Sequence, residues 1–369
     1  MSTTKNIPTL SVDRAVANLA DTYGTALAAG IAPKALPAVM LWGPPGVGKS
    51  QAIRALATRI SQKVGKRCEI TDVRLLLFNP IDLRGIPTAD KDKTLAIWLR
   101  PKIFQMDESD SVVNLLFLDE ISAAPPSVQA AAYQITLDRT VGEHRLPDNC
   151  IVIAAGNRVT DKSVAYKMPK ALANRLCHIE VAGNRDSWMR WAVENGIHEM
   201  VMGFLSFRAD YLMQFDADSD DLAFPTPRSW EMVSKLLCLF DGDVERAFDM
   251  IGGCIGMGVA TELRTWSKLY RDLPAVEDIF AGKSCPLPRA ADAMYALIST
   301  MTVHAREHRT DLRAISNSIR YAMQFPPDFS AVLMKNYMAI EPGYRAKLLQ
   351  LPEFSKWLST KGKFLNGIV

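Results

Sequence analysis

GPPGVGKS, residues 43–50, follows the apolar run AVMLW (38–42) and precedes a stretch of helical period, and this placement decides the fold. The octapeptide fits G-x-x-x-x-G-K-[ST] between a strand and a helix, which is the context the motif needs. Glycines let the backbone turn its N–H groups toward phosphate oxygens, so Gly43, Pro44, Pro45, Gly46, Val47 and Gly48 read as a phosphate-binding loop. Lys49 would reach the β- and γ-phosphates of a nucleotide, and the Ser50 hydroxyl would ligate Mg²⁺.

Working outward, short apolar runs alternate with helix-period segments from Pro37 to about residue 182. AVMLW, EITDVRLLL (69–77), NLLFLD (114–119), CIVIAAG (150–156) and CHIEV (177–181) read as strands. The segments after Lys49, after Pro125 and around Lys167 read as helices. Apolar strands separated by helices indicate an α/β fold with a buried parallel sheet, here of five strands, covered on both faces. Residues 1–36 read as a helical approach to this core of 37–182. Past it the strand signals fade, and helical period dominates a lid region, 183–300, and a C-terminal extension, 301–369.

Composition sets the outer bounds. The 369 residues carry 43 Lys and Arg against 40 Asp and Glu, and a net charge of +3 does not by itself imply nucleic acid or a membrane surface. No apolar run reaches the ~18 residues of a membrane span, and the N-terminus lacks the apolar core of a secretory signal. Six cysteines are scattered without a C-x-x-C pair, as in reduced intracellular chains, so a cytoplasmic location is expected.

The acid partner of the loop is NLLFLDE, an apolar strand ending in Asp119-Glu120 about seventy residues after Lys49. Ligands bind beyond the carboxyl ends of parallel strands, so these carboxylates stand at the expected edge. Asp119 would hold the Mg²⁺ shell, and Glu120 would orient and polarise the attacking water. CIVIAAGN ends a further strand with Asn157, whose amide suits either a contact to water and γ-phosphate or a simple turn.

The order GPPGVGKS, LFLDE, AAGN and then an arginine in KALANRL resembles the AAA+ ATPases. That resemblance implies an ATP hydrolase with Asn157 as first sensor and Arg175 as the arginine finger toward a neighbouring subunit. Arg175 could instead only close a helix C-terminus. The family's second sensor arginine matches Arg228 in PTPRSW, near a helix start where the macrodipole disfavours a positive charge.

Between the second strand and LFLDE lies FNPIDLRGIP (78–87), with two prolines and a glycine where a crossover helix would run. The charged turn TADKDKT and the apolar LAIWL follow, so a hairpin is expected. A second hairpin is expected in LDRTVGEHRLPDNCIVI. Both resemble inserts of the MoxR branch of AAA+ ATPases, which often shows a similar P-x-D-L-x-G segment. This resemblance implies a ring, usually of six subunits, that uses ATP and Mg²⁺ to remodel or mature a client protein. The partner in that branch often carries a von Willebrand factor A domain. The hairpins would face the client or pack between subunits, and Asp82 and Arg84 would at the least form a local ion pair.

Two other functions are carried beside it. A DNA-directed motor would need Lys or Arg at the hairpin tips, yet Lys91 and Lys93 are offset by Asp90 and Asp92. A non-catalytic nucleotide switch fits poorly with Lys49, Asp119 and Glu120 all in place. HAREH (304–308) has the spacing of some zinc peptidases, but no third ligand is evident, and an exposed helical face is expected. Trp188, Trp191, Trp230 and Trp266 read as core, as do Met200, Met202, Met213, Met232, Met250 and Met257.

Overall fold

A computed structural model of the protein describes residues 7–158, 166, 168–269 and 273–368. The chain forms two compact units, residues 1–183 with 216–219, and 184–215 with 220–369.

The first unit is α/β. Its strands are β1 (Thr9–Ser11), β2 (Val39–Trp42), β3 (Arg67–Arg74), β4 (Ile86–Ala89), β5 (Ala96–Leu99), β6 (Val112–Asp119), β7 (Thr140–Val141), β8 (His144–Arg145), β9 (Cys150–Gly156) and β10 (Cys177–Ala182). Its helices are α1 (Val12–Ala28), α2 (Lys49–Val64), α3 (Pro80–Arg84), α4 (Pro126–Asp138) and α5 (Lys170–Ala173). Six strands form one parallel sheet in the order β1-β10-β2-β9-β6-β3. The expected five-strand sheet therefore gains a sixth member. The three residues of β1 are too short to show a period and are defined by pairing with Glu180–Ala182. Of the expected helix around Lys167, Lys167 itself lies outside the described residues, and the helix described next to it is the short α5, Lys170–Ala173.

Burial follows the strand period of two. Leu41, Leu115, Phe117, Ile151 and Ile153 join one core with Leu19 of α1 and Ile53 and Leu56 of α2. Their neighbours Met40, Leu116, Leu118, Val152 and Ala154 join the opposite core with Val128, Ala132 and Ile135 of α4. Both faces of β9 are buried along its whole length, which is why it reads as a continuous apolar run. Beyond Arg74 the expected strand stops short: Leu75–Leu77 is a 3-10 turn with Leu77 75% exposed.

FNPIDLRGIP forms the one-turn α3 followed by the antiparallel β4–β5 hairpin. Asn79 N–H donates to Asp82 Oδ2 at 2.7 Å, so Asp82 caps the start of α3 instead of pairing with Arg84. Asp90 closes the hairpin turn by accepting from Thr94 N, Leu95 N and Thr94 Oγ1. The second expected hairpin is β7–β8. It locks onto the first: His144 Nε2 lies 2.7 Å from Trp98 O.

The second unit is helical, with α6 (Arg185–Glu194), α7 (Glu199–Phe207), α8 (Pro227–Leu239), α9 (Val244–Ile255), α10 (Met257–Ser267), α11 (Val276–Phe280), α12 (Ala291–Glu307), α13 (Leu312–Ala322), α14 (Pro327–Met338), α15 (Tyr344–Leu348) and α16 (Pro352–Lys361). Its core includes Trp188, Trp230 and Trp266, with Trp191 packed against it. Met200 and Met202 are buried as expected, whereas Met232, Met250 and Met257 are about half exposed (48%, 61% and 52%). His304 is not on a bare face: its ring meets Phe280 edge-on at 4.4 Å and stacks on His308 at 4.2 Å. Among the described residues no group of three His, Cys, Asp or Glu could hold a metal. None of the described helices is long and apolar enough to cross a membrane.

Candidate nucleotide site

Sheet register builds the site. Trp42 pairs with Gly156 and Leu118 with Ala154, so Gly43, Asp119 and Asn157 emerge beyond one edge of the sheet. Residues 43–48 then turn into α2, with Gly46 at φ 76° and Gly48 at φ 107°. A side chain at Gly48 would sit in the left-handed region, which explains the glycine at the helix start.

The polar side chains converge there. Lys49, 9% exposed, points its Nζ at Gly43 O (2.6 Å), Pro44 O (3.1 Å) and Asn157 Oδ1 (2.9 Å). Ser50 Oγ donates to Asp119 Oδ2 at 3.0 Å. Asp119 Oδ1 accepts from the Glu120 amide at 2.9 Å. The two halves of the motif thus meet through direct hydrogen bonds. A hydroxyl and a carboxylate side by side are the oxygen donors magnesium prefers, and the N-terminus of α2 favours anions, so the residues fit a magnesium nucleotide.

Glu120 is exposed and lies at φ 58°, an uncommon conformation for a residue with a side chain. The turn is held by Ile121 N–H donating to Ala155 O at 3.0 Å and Ala123 N–H to Glu120 O at 3.0 Å. Backbone strain at an exposed carboxylate beside a phosphate loop is a feature of functional sites. Nearby on the edge strand, burial first and Asp119 second raise the pKa of Asp72.

Of the residues singled out from sequence, Lys49, Ser50, Asp119 and Asn157 are joined in one cluster, with Glu120 next to it. Arg175 lies in the same unit, exposed in the turn between α5 and β10. Arg228 belongs to the helical unit, exposed at the second residue of α8, after the Thr226 cap and Pro227.

Two supports were not singled out beforehand. Ser122 Oγ accepts from the Asn157 backbone N–H at 2.9 Å and fixes the end of β9. Arg158 pairs with Glu180 at 2.9 Å, and Thr9 Oγ1 donates to the other oxygen of Glu180 at 2.6 Å. Their one signal in sequence is a charge, Glu180, inside the apolar run CHIEV.

Residues 38–178 match the model of the ATPase family associated with various cellular activities (AAA). This segment is an AAA-family ATPase domain. No curated protein matches the sequence. Solved structures similar to the chain include a putative ATPase from Cytophaga hutchinsonii (12% identity, TM-score 0.33, covering 88% of this chain and 94% of that one). A RuvB variant from Thermotoga maritima is 15% identical, with TM-score 0.34 and coverage of 79% and 84%. NtrX from Brucella abortus in complex with ADP is 14% identical, with TM-score 0.35 and coverage of 93% and 68%. The AAA domain spans β2 to β10 apart from the last residues of that strand, and so includes both hairpins and every clustered site residue.

Proposed function

We propose that the protein is a MoxR-like AAA+ ATPase that hydrolyses ATP in a ring, as a hexamer, and uses the energy to remodel or mature a partner protein. The observation that carries the ATPase reading is the meeting of Lys49 with Asn157 and of Ser50 with Asp119 at one sheet edge. Lys49 binds the β- and γ-phosphates, and the amides of residues 43–48 orient them. Magnesium held by Ser50 and Asp119 would neutralise charge developing on those phosphates. Glu120 holds the attacking water and accepts its proton on the carboxylate, while the Asn157 amide orients the γ-phosphate and that water. Arg175, exposed on its turn, reaches the γ-phosphate bound in a neighbouring subunit, and Arg228 acts as the second sensor.

A protein client is favoured over DNA by the β4–β5 hairpin. Ile86, Leu95, Ile97 and Leu99 are 61%, 67%, 42% and 55% exposed. Register places Ile86 opposite Leu99, with Ile97 and Leu95 continuing the same face by alternation, so the face is apolar. A DNA tracker would instead present unbalanced cations. The client would be a protein of the kind the MoxR branch serves, such as one with a von Willebrand factor A domain, in the cytoplasm.

The deciding experiment is ATP turnover across a protein-concentration series for the parent, Glu120→Gln and Arg175→Ala. Turnover per subunit rising with concentration, abolished by both substitutions while ATP still binds, is the expected result. Concentration-independent turnover that ignores Arg175→Ala would sink the ring, and absence of turnover under every condition would leave a nucleotide switch.

A further inference from the structure

Gln129, in the first turn of α4, is 4% exposed, buried like Val128 and Ala132 of the same helix. A polar amide in such a place costs free energy unless hydrogen bonds replace its water, and packing alone is met by a leucine or methionine. Its Nε2 donates to Ala124 O at 3.0 Å and to Ser122 O at 3.2 Å. Its Oε1 accepts from the Tyr133 hydroxyl at 3.2 Å, one turn farther along α4. Carbonyls only accept, so the end of the amide that faces two of them is the NH₂, and this fixes how the side chain lies.

Both carbonyls belong to the turn that carries the chain from β6 to α4, and Glu120 stands at the start of that turn. The β6–β9 register ends at Leu118 opposite Ala154, so the spacing of Glu120 and Asn157 is set beyond the ladder. Two bonds set it there: Ile121 N–H to Ala155 O at 3.0 Å, and Asn157 N–H to Ser122 Oγ at 2.9 Å. Ser122, 4% exposed, closes on β9 so tightly that a Cβ at Gly156 would lie 2.7 Å from its Oγ. Its carbonyl, held by Gln129, also takes the Tyr166 N–H at 2.7 Å. Ser122 therefore has Asn157 on its hydroxyl and Gln129 on its carbonyl.

We propose that Gln129 is a positioning residue for ATP hydrolysis, which acts through Ser122 to hold Glu120 and Asn157 at one spacing. This role presupposes the hydrolysis assigned above to Glu120. Glu120 and Asn157 follow different strands, and both must meet the same water and γ-phosphate. Gln129 touches neither of those groups. It pins the turn from the α4 side, as Ser122 pins it from the β9 side, and Lys49 on Asn157 Oδ1 ties the same amide to the phosphate loop.

The test is ATP turnover by the full chain, together with equilibrium binding of a slowly hydrolysed thiophosphate analogue of ATP. Gln129→Met keeps length and burial but removes both donors, and Ser122→Ala removes the acceptor for Asn157. Misplacing a catalytic group by about 1 Å costs on the order of 100-fold, so each variant should lower kcat about tenfold or more. Analogue affinity should stay within about twofold of the parent, because the phosphate loop is intact. The double variant should lose little more than the worse single one, since both residues hold one turn. Ile135→Ala, which opens a hole in the core farther along α4, should lower stability yet keep kcat while the protein is folded. Parent-level kcat in Gln129→Met overturns the proposal. So do losses that multiply in the double variant, a fall in analogue binding that matches the fall in kcat, or an equal kcat loss in Ile135→Ala. A parent that turns over no more ATP than Glu120→Gln removes the hydrolysis reading itself, and the positioning role with it.

Discussion

Trp42 Nε1 donates to His178 Nδ1 at 2.9 Å, and the two rings stack with centroids 6.0 Å apart. An indole N–H can only donate, so Nδ1 is the acceptor and the proton sits on Nε2. That nitrogen is 2.7 Å from Ala173 O and donates to it. The residue before the phosphate loop is thereby connected to the end of α5, two positions before Arg175. His178→Phe keeps the stack and removes both hydrogen bonds, leaving the Trp42 N–H and Ala173 C=O without these partners. We expect a stability loss of about 1–3 kcal/mol. We also expect ATP turnover to drop about tenfold with ATP affinity almost unchanged, since the damage reaches the Arg175 turn. Chemical denaturation and steady-state kinetics check the two parts separately, and unchanged turnover would break the link to Arg175.

Glu120 holds a left-handed backbone at φ 58°. Left-handed geometry costs a residue with a Cβ roughly 1–2 kcal/mol, while glycine adopts it without that cost but loses more chain entropy on folding. Glu120→Gly should therefore be about 0.5–1 kcal/mol more stable than Glu120→Ala in urea. Both should lack turnover. A glycine variant less stable than the alanine variant would show that the strain is absent in solution.

How much was readable in advance depended on how local the signal was. Lys49, Ser50, Asp119 and Asn157 sit at fixed offsets from strands, and β6 and β9 carry continuous apolar runs because both their faces are buried. β1 escaped because three residues have no period, and its identity rests on pairing with β10. Leu75–Leu77 looked like more strand because local hydrophobicity does not separate a strand from an apolar turn. Thr9 and Glu180 meet across 171 residues, so only the sheet order brings them together. Met232, Met250 and Met257 fit helical period, but the period alone does not say which face is covered.

Glu199, the first residue of α7, stands where a helix dipole favours a carboxylate. Burial overrides this, aided by repulsion from Glu307 and Glu277, and its pKa is pushed up to about 7. The folded state thus binds this proton more tightly than the unfolded chain. Below the ordinary carboxylate value of about 4.5 the two states are equally protonated, and between there and about 7 stability falls as pH rises. Next to it, burial lowers the pKa of His198, whose Nδ1 caps the Met200 N–H at 3.2 Å, and this works in the opposite sense on acidification. The difference between parent and Glu199→Gln cancels the histidine. Glu199→Gln should gain roughly 1–3 kcal/mol over the parent on going from pH 4.5 to pH 8. Parallel curves for the two proteins across that range would rule the buried carboxyl out.

The two hairpins offer a mechanical prediction. Gly142, at φ 58° in the β7–β8 turn, has no Cβ, and one added there would lie 2.5 Å from Arg84 O at the end of α3. His144 on the same hairpin contacts Trp98 O at 2.7 Å. β4 and β5 are exposed apart from the half-buried Trp98, so few apolar contacts hold this insert down and the His144 bond is a main restraint. Losing one such hydrogen bond costs about 1 kcal/mol, or roughly fivefold in local opening. His144→Ala should therefore speed amide exchange across residues 86–99 by about that factor, with β6 and β9 unaffected. Gly142→Ala must move backbone against backbone and should destabilise the unit by about 2 kcal/mol, more than His144→Ala does. If the hairpin transmits work from the nucleotide site, His144→Ala should leave basal ATP turnover near the parent value and impair partner remodelling. Loss of both functions together would mean that the hairpin contact serves the nucleotide site itself.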